Sequence, residues 1–141
     1  MDIRPLSPTF AVSPQIGVLD IPAIKAAGYT TIICNRPDTE MPPSHRADEI
    51  AKAAAAAGLS FVNLPVTHQG LDPQMIASQK AAMDAADGPV FAYCASGTRS
   101  SIVWSFTQAK HMPAAHIIAA TSAAGYDLGG MYDQLTAMAE R

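Results

Sequence analysis

The chain reads Pro89-Val-Phe-Ala-Tyr-Cys94-Ala-Ser-Gly97-Thr-Arg99-Ser-Ser101 at its most informative stretch. The apolar run from Val90 to Tyr93 predicts a short buried strand, and the residues after Arg99 predict a helix. A strand, a tight loop and a helix N-terminus direct several backbone N–H groups and the positive end of the helix dipole towards one point. We therefore expect Cys94 to be held as a thiolate and to act as a nucleophile in an anion-binding loop.

The residue types around Cys94 agree with this interpretation. Gly97 can adopt backbone conformations that other residues avoid. Arg99 offers a fixed fork of donors that suits an oxyanion. Ser100 has two interpretations: it caps the helix, or its hydroxyl donates to the Cys94 sulfur and eases departure of that sulfur as a leaving group. The expected anion-binding residues are those of the loop itself: Ala95, Ser96, Gly97 and Thr98.

Outside this stretch, strand-like and helix-like segments alternate. Strands are predicted at 3–6, 9–12, 29–34, 60–64 and 90–93, and helices at 21–27, 44–57 and 72–86. Pro5 and Pro8 favour an edge hairpin for the first two strands, and Ser44 is the expected cap of the second helix. The order predicts an α/β fold with a small, mostly parallel sheet covered by helices on both faces. Ligands bind such sheets beyond the carboxyl ends of the strands, where Cys94 lies.

The segment after Arg99 predicts three further helices, at 100–110, 113–124 and 128–140, divided by Pro113 and Gly125. A rhodanese domain would place another strand after the cysteine helix. The all-helical tail is instead typical of the cysteine phosphatase fold of the dual-specificity type.

Composition places limits on the protein class. The 141 residues are enough for one domain with a proper core, and we expect residues 1–141 to form it. A net charge of −3 does not indicate binding to nucleic acid or to an anionic membrane. Neither a membrane span nor a signal peptide is indicated, so a cytoplasmic location is expected. The four histidines show no metal-ligand spacing, and no cofactor motif is present.

The cysteine loop resembles the active-site motifs of two enzyme families. Rhodanese-type sulfurtransferases commonly carry Cys-x-x-Gly-x-Arg-Ser, which matches the spacing from Cys94 to Ser100. Tyrosine and dual-specificity phosphatases carry Cys-x-x-Gly-x-x-Arg-Ser/Thr, which is one residue longer. The shorter loop makes a smaller cradle, which suits a persulfide sulfur better than a phosphoryl group.

Nearly the whole chain resembles a bacterial family with a phosphatase-like fold, named after beta-lactamase hydrolase-like proteins. Members occur alone or fused to a persulfide-dioxygenase-like metallohydrolase, which implies a partner in persulfide metabolism. Five stretches besides the cysteine loop carry the resemblance: 6–8, Gln15, 35–40, 63–66 and 124–128.

A phosphatase needs a general acid, usually an aspartate on a mobile loop before the cysteine. The corresponding region, 63–68, has no carboxylate. Asp72 is the nearest candidate, but Pro73 after it favours a helix cap. His68 is the second candidate acid, with an exposed loop histidine as the simpler interpretation.

Charged residues also follow the strand that ends at Cys34. Arg36, Asp38 and Glu40 are expected to form a salt-bridged rim that holds the cysteine loop, or to add charge for an anionic substrate. Cys34 is either a buried strand cysteine, which is the more common case, or a resolving thiol for Cys94.

Three functions follow from these features. Sulfur transfer through a Cys94 persulfide ranks first, because of the loop length and the missing acid. Hydrolysis of phosphate esters through a cysteinyl-phosphate is the alternative, and a catalytically silent anion-binding domain is the third. In each case the ligand is a small anion, either a sulfane-sulfur donor or a phosphate ester.

Overall fold

A computed structural model describes residues 1–67 and 71–140 of the chain. The strands are β1 (Arg4–Ser7), β2 (Phe10–Ser13), β3 (Thr31–Cys34), β4 (Ser60–Asn63) and β5 (Val90–Tyr93). The α-helices are α1 (Ile21–Ala26), α2 (Ala47–Ala56), α3 (Pro73–Ala85), α4 (Thr98–Gln108), α5 (Ala114–Ala123) and α6 (Tyr132–Ala139).

The strands form one sheet in the order β1-β2-β5-β3-β4. β1 pairs with β2 in the antiparallel sense, whereas the pairs β2–β5, β5–β3 and β3–β4 are parallel. The carboxyl ends of four strands therefore meet at one edge, with β5 in the middle. This sheet and the helices after α4 confirm the predicted α/β class with a helical tail.

Helices cover both faces of the sheet, as a parallel sheet requires. α1 and α2 contribute Ile24 and Ile50 to the core on one face. On the other face, α4, α5 and α6 contribute Trp104, Ile117 and Leu135. This arrangement leaves the strand ends and the first turn of α4 as the place where polar side chains converge.

The predicted edge hairpin is confirmed: β1 is the outermost strand of the sheet, and β2, whose four residues are buried, lies next to it. Two other local predictions are wrong. Ser44 does not cap α2: its hydroxyl lies 2.8 Å from His45 Nδ1, and Asp38 accepts the Ala47 N–H instead. Ser100 is no cap either, because α4 begins at Thr98.

Within the described part of the chain, no helix combines the length and apolarity that crossing a membrane would need.

Candidate active site

The Cys94 loop, defined as residues 94–100, joins the end of β5 to the first turn of α4. Cys94 is 1% exposed, and its sulfur accepts a hydrogen bond from the Gly97 N–H at 3.1 Å. Gly97 has φ 97°, a left-handed conformation that turns the chain into the helix. The Arg99 and Ser100 N–H groups lie in the first turn of α4, where intrahelical acceptors are lacking. One N–H of the loop therefore contacts the buried sulfur, and the first-turn N–H groups of α4 follow it directly in the chain.

Side chains of the loop stabilise its shape. Ser96 Oγ donates to Thr98 Oγ1 at 3.0 Å and accepts the Thr98 N–H at 3.3 Å. Ser101 donates to the Gly97 carbonyl through its N–H at 2.9 Å and through its hydroxyl at 2.8 Å. These hydrogen bonds therefore fix the backbone of the loop on both sides of Gly97.

Arg99 is held by a two-pronged contact with Glu40. Its Nη1 and Nη2 atoms donate to the two carboxylate oxygens at 2.8 Å each, and Nη1 also donates to the Val66 carbonyl at 3.0 Å. The hydrogen bond with Arg99, helped by Arg36, lowers the pKa of Glu40 from 4.5 to about 2. Glu40 is therefore ionised at neutral pH and orients the guanidinium beside Cys94.

Arg36 extends this network. Its Nε donates to Glu40 Oε1 at 3.1 Å, and its Nη1 donates to Gln15 Oε1 at 3.4 Å. Gln15 in turn donates its N–H to the Ala95 carbonyl at 3.1 Å. Arg36 and Glu40 thus adjoin the Cys94 loop as an ion-paired rim.

The two candidate aspartates of the site serve as helix caps. Asp38 Oδ1 accepts the Ala47 N–H of α2 at 2.8 Å, and Asp72 Oδ1 accepts the Met75 N–H of α3 at 2.7 Å. Asp38 therefore belongs to the same segment as Arg36 and Glu40, but among the described residues it forms no ion pair with Arg36 or Arg99. His68, the other candidate acid, lies outside the described residues.

Ser100 is completely buried, and within residues 1–67 and 71–140 its hydroxyl has no hydrogen-bond partner. A buried hydroxyl without a partner is costly. The cost is offset if the Ser100 hydroxyl donates a hydrogen bond to the Cys94 sulfur when that sulfur is negatively charged.

Cys34 lies one strand away from Cys94, opposite Tyr93 in the sheet register. Its thiol is free and buried, and it lies 3.3 Å from the Arg36 carbonyl, to which it donates. Burial raises the pKa of the Cys34 thiol. A protonated thiol in this position is a packed core residue, and the resolving role stays a prediction.

A groove of about 730 Å³ opens beside Arg99, between α3, α4 and α6. Apart from Arg99 its walls are mainly apolar, with contributions from Val66, Leu71, Ile76, Ile102, Phe106 and Met138. The Cys94 loop and the apolar groove therefore share Arg99. In the described ranges, no three metal-binding side chains cluster to form a metal site.

Two further residues contact the loop from distant parts of the chain. Gln15 follows β2, and Tyr126 follows α5, where its hydroxyl donates to the Ser96 carbonyl at 2.9 Å. No local sequence pattern predicts either contact, because each joins two segments that are far apart in the sequence. Only the resemblance of the stretches around them to a known family marks these positions.

The Glu40 network gives a testable pH dependence. Because the pKa of Glu40 is lowered in the folded state, its contribution to stability is complete above pH 4.5 and disappears as the pH falls towards 2. We expect Glu40→Gln to lower the free energy of unfolding by about 1–3 kcal/mol at pH 7, because Arg99 loses a charged acceptor. The difference in Tm from the wild type should stay constant between about pH 5 and pH 8 and shrink below that range. A difference that is unchanged at pH 3 would contradict this assignment.

Comparison with known proteins adds the family context. Residues 2–111 match the family described as "Beta-lactamase hydrolase-like protein, phosphatase-like domain". A beta-lactamase hydrolase-like protein of Agrobacterium fabrum is 37% identical over 92 residues, which cover 65% of this chain and 21% of that protein. Two such proteins of Xylella fastidiosa are 29% identical over 131 residues, which cover 92% of this chain and 30% of each. The chain thus spans less than a third of these relatives.

Solved structures share the whole fold. A candidate phosphatase from Neisseria meningitidis has a TM-score of 0.85 and 34% identity, with 98% of this chain and 99% of that one covered. Kinase-associated phosphatase, solved with its catalytic cysteine replaced by serine, has a TM-score of 0.75 and 12% identity, with 99% and 93% covered. At that identity the second likeness concerns the fold alone.

Proposed function

Because this chain belongs to the family of the phosphatase-like domain of beta-lactamase hydrolase-like proteins, we propose that it is a phosphatase that hydrolyses phosphate monoesters through Cys94. This choice reverses the order reached from the sequence, where sulfur transfer ranked first. The relatives support the phosphatase alternative, and none of them supports a sulfurtransferase.

One observation carries the proposal: the Cys94 sulfur accepts the Gly97 N–H at the start of α4, beside a guanidinium that Glu40 orients. A phosphoryl group bound in the loop would accept hydrogen bonds from the first-turn N–H groups and from the donors of Arg99 that face the loop. In-line displacement places the thiolate opposite the leaving ester oxygen, and these donors then contact the equatorial phosphoryl oxygens.

The reaction would run in two steps. In the first step, the Cys94 thiolate attacks phosphorus, an S–P bond forms, and the ester P–O bond breaks with departure of the alcohol or phenol oxygen. In the second step, water attacks phosphorus, the S–P bond breaks, phosphate leaves and the thiolate returns. Over both steps, one proton of the attacking water passes through solvent to the alkoxide or phenoxide released in the first step, and the enzyme returns to its starting state. The Ser100 hydroxyl is suited to donate to the sulfur as it leaves, because it is buried and without another partner in the described chain.

The organic part of the substrate has an apolar surface available to it. The groove between α3, α4 and α6 begins at Arg99, so a group attached to the bound phosphate can lie against Ile102 and Phe106. This favours aryl or bulky alkyl esters over small sugar phosphates.

Asp72 provides a test of the leaving-group acid. If its side chain only caps α3, Asp72→Asn should keep kcat for an aryl phosphate within about twofold, because asparagine caps as well as aspartate. Asp72→Ala should lower the free energy of unfolding by about 1 kcal/mol. The measurements are steady-state kinetics and thermal denaturation of both variants. A large fall in kcat for Asp72→Asn at unchanged Tm would make Asp72 the acid.

Sulfur transfer remains the second candidate, because only four residues separate Cys94 from Arg99 and both nearby aspartates are engaged as caps. In that reaction the thiolate attacks the outer sulfur of thiosulfate, the S–S bond breaks and sulfite leaves. Cyanide then removes the sulfur from the Cys94 persulfide as thiocyanate. Sulfite leaves as a stable anion, so no acid is required.

Parallel assays separate the candidates. Purified protein is given an aryl phosphate in one set and thiosulfate plus cyanide in the other, with Cys94→Ser in both. Phosphate release that depends on Cys94, without thiocyanate, supports the proposal. Formation of thiocyanate without release of phosphate would show that the protein is a sulfurtransferase and not a phosphatase. If neither product forms, the protein is best explained as a catalytically silent anion-binding domain.

A further inference from the structure

Tyr126, which follows α5, contacts the Cys94 loop. Its hydroxyl donates to the Ser96 carbonyl at 2.9 Å, and the side chain is 5% exposed. A side chain on Gly97 would collide with the same hydroxyl. Tyr126 therefore fills the space behind the turn of the loop, and it lies beyond residue 111, where the family match ends.

The peptide unit between Ser96 and Gly97 connects this tyrosine to the reactive sulfur. Its carbonyl accepts from the Tyr126 hydroxyl, and its N–H donates to the Cys94 sulfur at 3.1 Å. The C=O and N–H of a trans peptide point in opposite directions, and the described chain contains no cis peptide bond. A hydrogen bond that keeps the Ser96 carbonyl pointing away from the sulfur therefore also keeps the Gly97 N–H pointing towards it. The two hydrogen bonds also polarise each other through the shared peptide unit.

The position of Tyr126 is itself fixed on two sides. α5 ends at Ala123, and Gly125, with φ 96°, turns the chain so that the Tyr126 N–H donates to the Thr121 carbonyl at 2.9 Å. This is the hydrogen-bond pattern of a helix C-terminus closed by a left-handed glycine. On the other side, the Arg4 guanidinium lies 5.1 Å from the centre of the tyrosine ring. The hydroxyl therefore has little freedom to leave the Ser96 carbonyl.

We propose that Tyr126 is a positioning residue that keeps the Ser96–Gly97 peptide oriented so that its N–H stabilises the Cys94 thiolate. The inference rests on the proposed function only in taking Cys94 as the reacting residue. It concerns the charge state of the sulfur, so it applies equally to phosphoryl transfer and to sulfur transfer.

The test is the pH profile of alkylation at Cys94. Tyr126→Phe keeps the ring under Arg4 and removes only the hydroxyl. The reference protein and the Tyr126→Phe variant both carry Cys34→Ala, so that Cys94 is the only cysteine in either. Without the Tyr126 hydroxyl, the Gly97 N–H is no longer held towards the sulfur, and loss of this hydrogen bond to a charged acceptor should reduce the alkylation rate about tenfold at pH 6. The ratio of the two rates should shrink to within about twofold at pH 10, because the hydrogen bond matters most where protons compete for the sulfur.

Controls separate positioning from a purely structural role. Tyr132→Phe makes the same change at an exposed tyrosine on α6 and should reproduce the wild-type profile. Tm is measured for every variant, so that loss of fold is recognised. Superposition of the Tyr126→Phe profile on that of the wild type would overturn the proposal, and so would an equal loss of rate at every pH. Alkylation needs no substrate, so the outcome is independent of whether the protein hydrolyses phosphate esters.

Discussion

Cys94→Ser should abolish aryl phosphate hydrolysis, with a fall in kcat of about 10³-fold or more. The hydroxyl of serine is a poor nucleophile at neutral pH, and Glu40, the carboxylate that contacts the loop, is ion-paired with Arg99 and Arg36. The substitution changes one buried atom, so Tm should move little. The measurement is steady-state kinetics at saturating substrate, together with thermal denaturation.

Cys34→Ala is the matched control, because it removes the other cysteine of the chain from a neighbouring strand end. Its thiol is buried and donates to the Arg36 carbonyl, away from the N–H groups of the loop. It should keep most of the activity. Residual turnover by Cys94→Ser comparable with that of Cys34→Ala would show that Cys94 is not the nucleophile.

Arg99→Lys should lower kcat/KM for aryl phosphates by about 10²-fold. A lysine keeps the positive charge and can still pair with Glu40, but it lacks the planar fork that binds Glu40 with one edge and an oxyanion with another. The loss should fall on kcat as well as on KM, because the fork stabilises charge that grows on the phosphoryl oxygens. Steady-state kinetics with phosphate as a competitive inhibitor would measure both effects.

Arg46→Lys provides the comparison for Arg99→Lys. Arg46 is exposed, in front of α2, and should tolerate the change without loss of activity. If Arg99→Lys retained most of the wild-type kcat/KM, the guanidinium would have no special part in binding the anion, and the charge alone would suffice.

The sequence predicts much of the fold and the centre of the site, because these depend on local patterns. The apolar run before Cys94, the small loop and the helix after it are adjacent in the chain and form one unit. The alternation of strands and helices indicates the parallel sheet, and therefore the shared edge where Cys94 and the segment after Cys34 meet.

The remaining features depend on contacts between distant residues. The edge position of β1 rather than β2 follows from the parallel pairing of β2 with β5, which no local pattern reveals. The cap of α2 comes from Asp38, nine residues before the N–H it accepts, rather than from the nearby Ser44. Likewise, the hydroxyl of Tyr126 behind the loop could not be foreseen, because packing of the helical tail brings it there.

The length of the Cys94 loop favours sulfur transfer, whereas the proposed phosphate hydrolysis follows the relatives that are described as phosphatase-like. The two chemistries use the same thiolate and the same donors. They differ in what the sulfur carries between the two steps. The bound intermediate is therefore the feature that distinguishes them.

The most direct test is the mass of the protein during turnover. The wild type is mixed with an aryl phosphate, quenched in acid within the first turnovers, and analysed as intact protein and as peptides, with Cys94→Ser in parallel. We expect a mass gain of one phosphoryl group on the peptide that carries Cys94, and none in the variant. The absence of a phosphoryl group on Cys94 during turnover, together with the gain of one sulfur atom after thiosulfate, would contradict this expectation.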